Sequence, residues 1–449
     1  MFKFQISNFR FQIVLCVLFT LFIVQIAFAQ TSLNTVAQAK LVTEFDVNGL
    51  KVIIKKRAAS PTVSATIFFR GGVKNITNKN AGIENLLLSV ASEGSKKFPR
   101  ELMRREIAGT GSGIGGGASL DYSELSLGST RQNFERSWAV FTDVAMNPTF
   151  AAEDLERVRE QILTGLQSQN DDPDGYLQVL KEDVIYANHP YANSPSGTIE
   201  TVSALTADSL RAYHKQMMQT SRMLLVIVGD VDANNLKLKI ANSFGTLPRG
   251  NYIEKPLPQI SFAKPTVDVT PRELPTNYIQ GEFSAPNLGN PDYYAMRVAT
   301  KILNDRVFEE VRVKRNLSYA PSADMSELSA NTANIYVTAV DANRSVGVML
   351  NEVKKLQTDL VNESDISGVA GQFLTTYFLS QETNSAQAAE LARYELSGGG
   401  WRNSLDFLNQ VGKITPQRVK MVSAKYMKNI RFIVLGNPAA VNKDIFLQK

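Results

Sequence analysis

The sequence is poor in cysteine and histidine. Its 449 residues include one cysteine, Cys16, and two histidines, His189 and His214. One cysteine cannot form a disulfide within the chain, so a packed core must supply the stability. The composition, 44% hydrophobic and 20% charged, is sufficient for such a core, and the length suggests two or three domains.

The sequence also has no large excess of positive or negative charge. The formal net charge is +5, and two of the positive charges, Lys3 and Arg10, lie in the first 29 residues, which contain no Asp or Glu. Removing that segment leaves a net charge near +3. No dense stripe of Lys and Arg occurs in the sequence, and we therefore expect no nucleic-acid partner.

The first 29 residues have the pattern of a secretory signal peptide. A basic start is followed by the apolar run Ile13 to Phe28 and by a small-x-small ending at Ala29. An uncleaved membrane anchor is the alternative, but the run is shorter than the roughly 20 residues that span a bilayer, and Gln25 interrupts it. Cleavage after Ala29 would leave no stable membrane span and no cysteine, and it predicts a periplasmic or secreted protein.

The remainder of the sequence contains two similar endings. An apolar strand and Gly229 follow a predicted helix in the first half, and another apolar strand and Gly436 follow a predicted helix in the second. The glycines are 207 residues apart, which suggests two copies of one α+β unit. Four prolines between positions 248 and 265 indicate an extended linker. Early in the first unit, Asn48-Gly49 between alternating apolar residues predicts a hairpin.

Five segments resemble, in order, the motifs of the insulinase-type (insulysin/pitrilysin) zinc peptidases. They are residues 80–89, 109–123, 160–174, 189–198 and 306–319. The first is similar to the family's zinc helix, G-[LI]-A-H-x-x-E-H, and the last to its segment R-L-F-x-x-[VI]-R-E-K-x-G-L-A-Y. Because the order and spacing match over nearly all of the chain after residue 40, the sequence is identified as a member of this family.

The resemblance implies an α+β fold of two homologous halves. Each half is expected to be a mostly antiparallel sheet covered by helices, and the two are expected to form a clam-like chamber. The predicted organisation is a signal peptide at 1–29, an N-terminal insulinase-like domain at 41–247, the linker at 248–265 and a C-terminal insulinase-like domain at 266–449.

The resemblance also implies where zinc would be held. In the family, two histidines at i and i+4 and a carboxylate from a later helix bind zinc, and a Glu at i+3 takes a proton from the bound water. The two histidine positions fall on Asn85 and Ser89. The position of the later carboxylate falls on Gly165, and that of the proton-accepting Glu falls on Leu88. Asn and Ser are poor zinc ligands, Gly has no side chain, and Leu cannot move a proton. We therefore expect no zinc and no other cofactor on this chain.

The remaining candidate ligands do not replace the missing ones. His189 lies in a turn where the family has a histidine that is not a ligand, and His214 lies within a predicted helix, where a surface or packing role is expected. Glu84 and Glu93 lie near the zinc-helix segment, and carboxylates on an amphipathic helix usually belong to its solvated face.

The second half keeps two residues that the family uses to bind substrate carbonyls and stabilise the oxyanion. They fall on Arg312 and Tyr319, with Arg315 as the alternative arginine. The other interpretation is a surface salt bridge for Arg312 and a core position for Tyr319. The family's substrate-pairing strand is less well kept, since its Asn-Ala falls on Gly115-Gly116. This stretch is either a flexible loop that touches substrate or a decayed strand.

Some members of the family act as pairs, as in the mitochondrial processing peptidase, in which one subunit holds zinc and its partner does not. The sequence resembles the second kind of subunit. We expect it to form a heterodimer with a zinc-bearing homologue and to contribute Arg312 and Tyr319 to the hydrolysis of extended peptides. The alternative is a non-catalytic peptide-binding or structural assembly protein of the cell envelope; a free-standing active peptidase is disfavoured by the lost ligands.

Overall fold

The computed structural model describes residues 35–448, so the predicted signal peptide and Cys16 lie outside the described residues. Its strands are β1 (Val42–Val47), β2 (Leu50–Lys56), β3 (Thr62–Arg70), β4 (Gly113–Ala118), β5 (Tyr122–Thr130), β6 (Met223–Gly229), β7 (Thr266–Pro271), β8 (Asn277–Ser284), β9 (Ser322–Met325), β10 (Thr332–Ala339) and β11 (Arg431–Gly436).

The helices of the first half are α1 (Ile83–Ala91), α2 (Arg100–Thr110), α3 (Phe134–Met146), α4 (Ala152–Asp171), α5 (Pro173–Ile185), α6 (Ile199–Ala204), α7 (Ala207–Met217) and α8 (Ala233–Ala241). Those of the second half are α9 (Tyr293–Val307), α10 (Ala342–Thr358), α11 (Glu363–Ser380), α12 (Asn384–Ser397), α13 (Phe407–Gly412), α14 (Pro416–Tyr426) and α15 (Lys443–Phe446). A π-helix, Phe308–Val313, continues directly from α9.

The two sheets have the same strand order, apart from one additional strand at an edge of the first. Sheet 1 has the order β1-β2-β6-β3-β5-β4, and sheet 2 has the order β7-β11-β8-β10-β9. In each sheet the last strand of the half pairs in parallel with the strand that opens the repeated unit, β2 with β6 and β7 with β11, and the other pairs are antiparallel. This topology confirms the predicted α+β fold of two similar halves.

The local sequence accounts for the first hairpin and for the central strands. Asn48 and Gly49 have φ of 53° and 88°, and two successive positive φ angles match the tight turn that Asn-Gly favours between strands. Strand β6, Met-Leu-Leu-Val-Ile-Val-Gly, is buried along its whole length. Its uninterrupted apolar run fits a central strand covered by helices on both faces.

Each half places a helix on the sheet of the other half. Helix α12 packs across β3 and β6, and helix α5 packs across β8 and β11. The first contact is apolar, with Leu391 and Trp401 buried against Phe68 and Leu224. Because each sheet needs a helix from the other half to cover it, the halves depend on each other for their cores.

The connection between the halves is extended. No helix or strand is assigned from residue 250 to residue 262. Among residues 35–448, no helix is long and apolar enough to cross a membrane.

Candidate functional site

Helix α1, which carries three of the four expected zinc positions, begins where two glycines meet. Gly82 and Gly197 have φ of 85° and 83°, and a Cβ on Gly82 would lie only 2.8 Å from the Gly197 Cα. Only glycine permits both the conformation and the close approach. Since these glycines belong to the segments 80–89 and 189–198, the fold brings two of the family-like motifs together.

The expected zinc positions lie on elements that touch each other, because α1 packs against both β4 and α4. Leu88 is buried. A Cβ added to Gly116 would lie 2.9 Å from the Cβ of Leu88. Asn85 and Ser89 are half-buried. Gly165 on α4 is exposed, and a Cβ added there would meet nothing within 4 Å.

These side chains do not fit zinc. An amide, a hydroxyl and an apolar side chain stand on α1, and no side chain stands at the fourth position, so the site lacks both the charge and the nitrogen or sulfur donors that zinc prefers. In the part of the chain from 35 to 448, no group of three or more His, Cys, Asp and Glu side chains is arranged to hold a metal ion.

The interpretation of Glu84 as a solvated carboxylate is wrong. Glu84 is 2% exposed and Arg222, just before β6, is 5% exposed. Glu84 Oε1 accepts hydrogen bonds from Arg222 Nη2 and, at 2.5 Å, from the Tyr213 hydroxyl, while Oε2 accepts one from Ser123 Oγ. Arg222 Nε donates to the Arg70 carbonyl at 3.1 Å. The buried pair therefore joins α1 to α7 and to the centre of sheet 1.

A sequence signal for this pair exists. Glu84 stands where the family motif has Ala, and the apolar residues Leu86, Leu87, Leu88 and Val90 follow within the next six positions. Burial alone would lower the pKa of Arg222, but the Glu84 carboxylate raises it, so the guanidinium stays charged. Glu93 is half-buried and bonds to Arg157 Nη2 at 2.5 Å.

The glycine-rich stretch is a strand at the margin of sheet 1. Strand β4 pairs with β5 along its length, with Gly115 opposite Ser126 and Gly116 opposite Leu125. Within residues 35–448 no strand pairs with its other edge. Gly116 faces the helix α1, where a Cβ would be 2.9 Å from Leu88 Cβ, whereas a Cβ on Gly115 would meet nothing within 4 Å. The segment is therefore an ordered edge strand rather than a loop.

Arg312 and Tyr319 lie against each other at the surface of the second half. The guanidinium carbon of Arg312 is 4.1 Å from the centroid of the Tyr319 ring and 4.9 Å from that of Phe308. Tyr319 is 78% exposed, so it is not a core residue. Among the described residues, no carboxylate forms a salt bridge with Arg312. Neither the core nor the salt-bridge interpretation fits this pair.

The π-helix brings Arg312 to this position. Such a wide turn is rare and often occurs at functional sites. Arg315, the alternative arginine, is held instead by Glu310, to which its Nη1 bonds at 2.5 Å on the carboxylate and 2.9 Å on the carbonyl. The Lys314 and Arg315 side chains hold the pKa of Glu310 at about 2. Of these two arginines, Arg312 is therefore the one that has no acidic partner within residues 35–448.

Both histidines have structural contacts. His189 Nδ1 accepts from the Tyr191 amide at 3.1 Å, which leaves Nε2 to donate to the Pro258 carbonyl at 3.0 Å. His214 Nε2 lies 2.8 Å from the Ala145 carbonyl, and its ring is packed edge-on against Phe150. Burial lowers the pKa of His214.

Comparison with known proteins identifies the family of the chain. Insulinase (Peptidase family M16) matches residues 51–198, and the Peptidase M16 inactive domain matches residues 204–372. Together the two matches cover well over half of the sequence. The chain belongs to the insulinase family, peptidase family M16.

Several curated relatives are similar to much of the chain. An uncharacterized zinc protease of Mycobacterium tuberculosis is 26% identical over 66% of this chain and 70% of its own length. The non-peptidase homolog YmxG of Helicobacter pylori is 21% identical over 89% of this chain and 95% of its length. The mitochondrial-processing peptidase subunit beta of Saccharomyces cerevisiae is 20% identical over 90% of this chain and 92% of its length.

Solved structures share the fold. A peptidase M16 inactive domain from Pseudomonas fluorescens superposes with a TM-score of 0.78 at 20% identity, covering 88% of this chain and 98% of that one. The periplasmic protease PqqL from Escherichia coli gives a TM-score of 0.75 at 16% identity and covers 92% of this chain and 50% of that one. The chain is thus an insulinase-family member, and the side chains at its four expected zinc positions do not fit zinc.

Proposed function

We propose that this chain is a pseudo-peptidase subunit that pairs with a zinc-bearing homologue and contributes Arg312 and Tyr319 to peptide hydrolysis. One observation carries the proposal: the half-buried Arg312 stacks on the exposed ring of Tyr319 and lacks an acidic partner among the described residues. A side-chain pair kept only for stability would gain more from burial or from a carboxylate partner. The relatives support pairing, since one of them is named as a subunit of a processing peptidase.

The chemistry of the two side chains suits a developing negative charge. Arg312 presents a planar set of N–H donors, and Tyr319 presents a hydroxyl that can donate. Both can donate hydrogen bonds to the oxygen of a peptide carbonyl, and these bonds strengthen as that oxygen becomes an oxyanion. The zinc needed to activate water would be held by the partner, because the residues at the four zinc positions of this chain do not fit a metal.

Extended peptides are the substrates that the edge strand β4 would accept. A peptide that pairs with its open edge forms backbone hydrogen bonds whatever its side chains are. Gly115, with open space where a Cβ would stand, lets the backbone of the peptide approach closely. The same edge also favours the second candidate function, a binding or assembly protein that holds peptides without cutting them.

Reconstituted complexes distinguish these functions. Tyr319→Phe removes only the hydroxyl, and Arg312→Ala removes the guanidinium. Each is expected to lower turnover of the verified complex by about 10²–10³-fold, as loss of an oxyanion donor does. Arg315→Ala is the matched control, since Arg315 is already bound to Glu310, and it should leave turnover near the wild-type rate. Wild-type turnover in both Tyr319→Phe and Arg312→Ala would favour the binding protein.

We also propose that the chain is exported and cleaved after Ala29, in agreement with the periplasmic location named for one structural neighbour. The mass of the protein isolated from its native envelope tests this. The expected chain begins at Gln30; a mass that retains residues 1–29 would indicate a membrane anchor instead.

A further inference from the structure

The hairpins at equivalent positions in the two halves meet at their tips. In sheet 1, residues 119–121 connect β4 to β5, and in sheet 2, residues 326–331 connect β9 to β10. Asp121 lies at the first tip, and its Oδ2 accepts a hydrogen bond from the Ser329 amide at 2.8 Å, across the boundary between the halves. The outer strands β4 and β9 therefore each belong to a hairpin whose tip contacts the other half.

A buried tyrosine completes the contact. Tyr191 is 1% exposed, and its hydroxyl donates to Asp121 Oδ1 and accepts from the Ala330 amide at 3.3 Å. Both carboxylate oxygens of Asp121 thus accept a hydrogen bond. Ala330 is itself fully buried within the core of the first half, although it belongs to a loop of the second. Burial and the neighbouring Asp121 raise the pKa of Tyr191, so its hydroxyl keeps the proton that it donates.

The linker and the second half hold the other side of the same loop. The Ser329 carbonyl accepts from Gln259 Nε2 of the linker at 2.9 Å and from Asn287 Nδ2 at 3.0 Å. The Asn331 side chain ties the loop to the Pro286 carbonyl at 3.0 Å. The tip of the second hairpin is therefore fixed by hydrogen bonds to the linker and to its own half. Asp121 of the first hairpin bonds to this tip.

From this arrangement we propose that Asp121 and Tyr191 form a latch that fixes the edge strand β4 to the second half and thereby holds it in place for a peptide. Asp121 is three residues beyond the end of β4, so a displaced tip must shift the strand. The part of this inference that concerns peptide rests on the proposed function. In it, Asp121 and Tyr191 are positioning residues and do not touch the substrate.

Hydrogen exchange of the full chain tests the latch without any partner or peptide. Tyr191→Phe removes the shared hydroxyl, and Asp121→Asn removes the charge and replaces one acceptor by a donor. A hydrogen bond to a charged group that is lost on opening corresponds to about a tenfold to hundredfold change in the opening equilibrium. We expect the amides of β4 that pair with β5 to exchange faster by that factor, while those of the central strand β6 are unchanged.

Tyr336→Phe is the matched control. Its hydroxyl also donates to an aspartate of the other half, Asp174, but away from the hairpin tips. It should leave the exchange of β4 as in the wild type. If Tyr191→Phe and Asp121→Asn give the same β4 exchange as Tyr336→Phe, the latch does not exist.

Peptide affinity then tests the positioning role. A labelled extended peptide should bind the reconstituted complex more weakly in the two latch variants, by a factor similar to the change in exchange. A wild-type complex that binds peptide, with variants that exchange faster yet bind equally well, would overturn the positioning role. A wild-type complex that binds no peptide would instead refute the proposed function, and the exchange result would still decide the latch.

Discussion

The buried pair Glu84–Arg222 offers the sharpest test of how this chain stabilises α1, the helix that carries three of the four expected zinc positions. Both side chains are almost fully buried, and their charges are satisfied by each other and by the surrounding hydroxyls. Glu84→Ala restores the small residue of the family motif but leaves Arg222 charged and buried with no carboxylate. Arg222→Leu leaves Glu84 buried with no guanidinium beside it.

The expected magnitudes follow from the burial. Removing one partner of a buried ion pair costs about 3–5 kcal/mol, because the remaining charge loses its partner but not its desolvation. Replacing both by apolar residues removes that penalty, so the Glu84→Ala/Arg222→Leu double variant should be more stable than either single variant. The cavity left by Glu84 keeps the double variant somewhat below the wild type.

Urea unfolding followed by circular dichroism measures these differences, and hydrogen exchange of α1 shows whether the loss is local. The wild type, both single variants and the double variant form a double-mutant cycle. Single variants that each cost less than about 1 kcal/mol, the usual range of an exposed pair, would refute the reasoning. Additive costs in the double variant would also refute it, since they would mean that the two charges do not stabilise each other.

Three further predictions concern the packing of β4, the titration of His214 and the zinc content of the protein. Gly116→Ala should cost about 1–3 kcal/mol, because the added Cβ overlaps the helix packed on β4, whereas Gly115→Ala, with open space, should stay within about 0.5 kcal/mol in the same urea titration; equal effects would contradict the packing. His214 has a lowered pKa in the folded state, so the stability that depends on its neutral form is present above pH about 6.5 and is lost as the pH falls. His214→Gln, which keeps a donor, should reduce the slope of stability between pH 7 and 5 by at most about 1.4 kcal/mol per pH unit, and an unchanged slope would contradict this assignment. Elemental analysis of zinc-reloaded protein should find far less than one zinc per chain; one tightly held zinc with chelator-sensitive proteolysis would overturn the pseudo-peptidase assignment.

Some features of the fold and of the site are local, and the sequence predicts them well. The Asn48-Gly49 turn is one, since its φ angles depend on the residues within the turn. The chemistry of the side chains at the expected zinc positions is another, because a Leu or a Gly side chain lacks donor atoms in any fold. The π-helix and the ordered edge strand are intermediate cases. The sequence identifies these segments, but their backbone conformation depends on packing against α10 and pairing with β5.

The sequence by itself determined the family and the two-sheet α+β fold, because motif order and side-chain type are properties of the sequence. Only the tertiary structure decided which charges are buried and which groups meet. From the sequence, Glu84 is expected to be a surface carboxylate, because its buried partner Arg222 is 138 residues away along the chain. Asp121 and Ser329, 208 residues apart, become partners only when the two hairpins meet. Burial and pairing depend on which elements pack together, and spacing along the chain does not specify this.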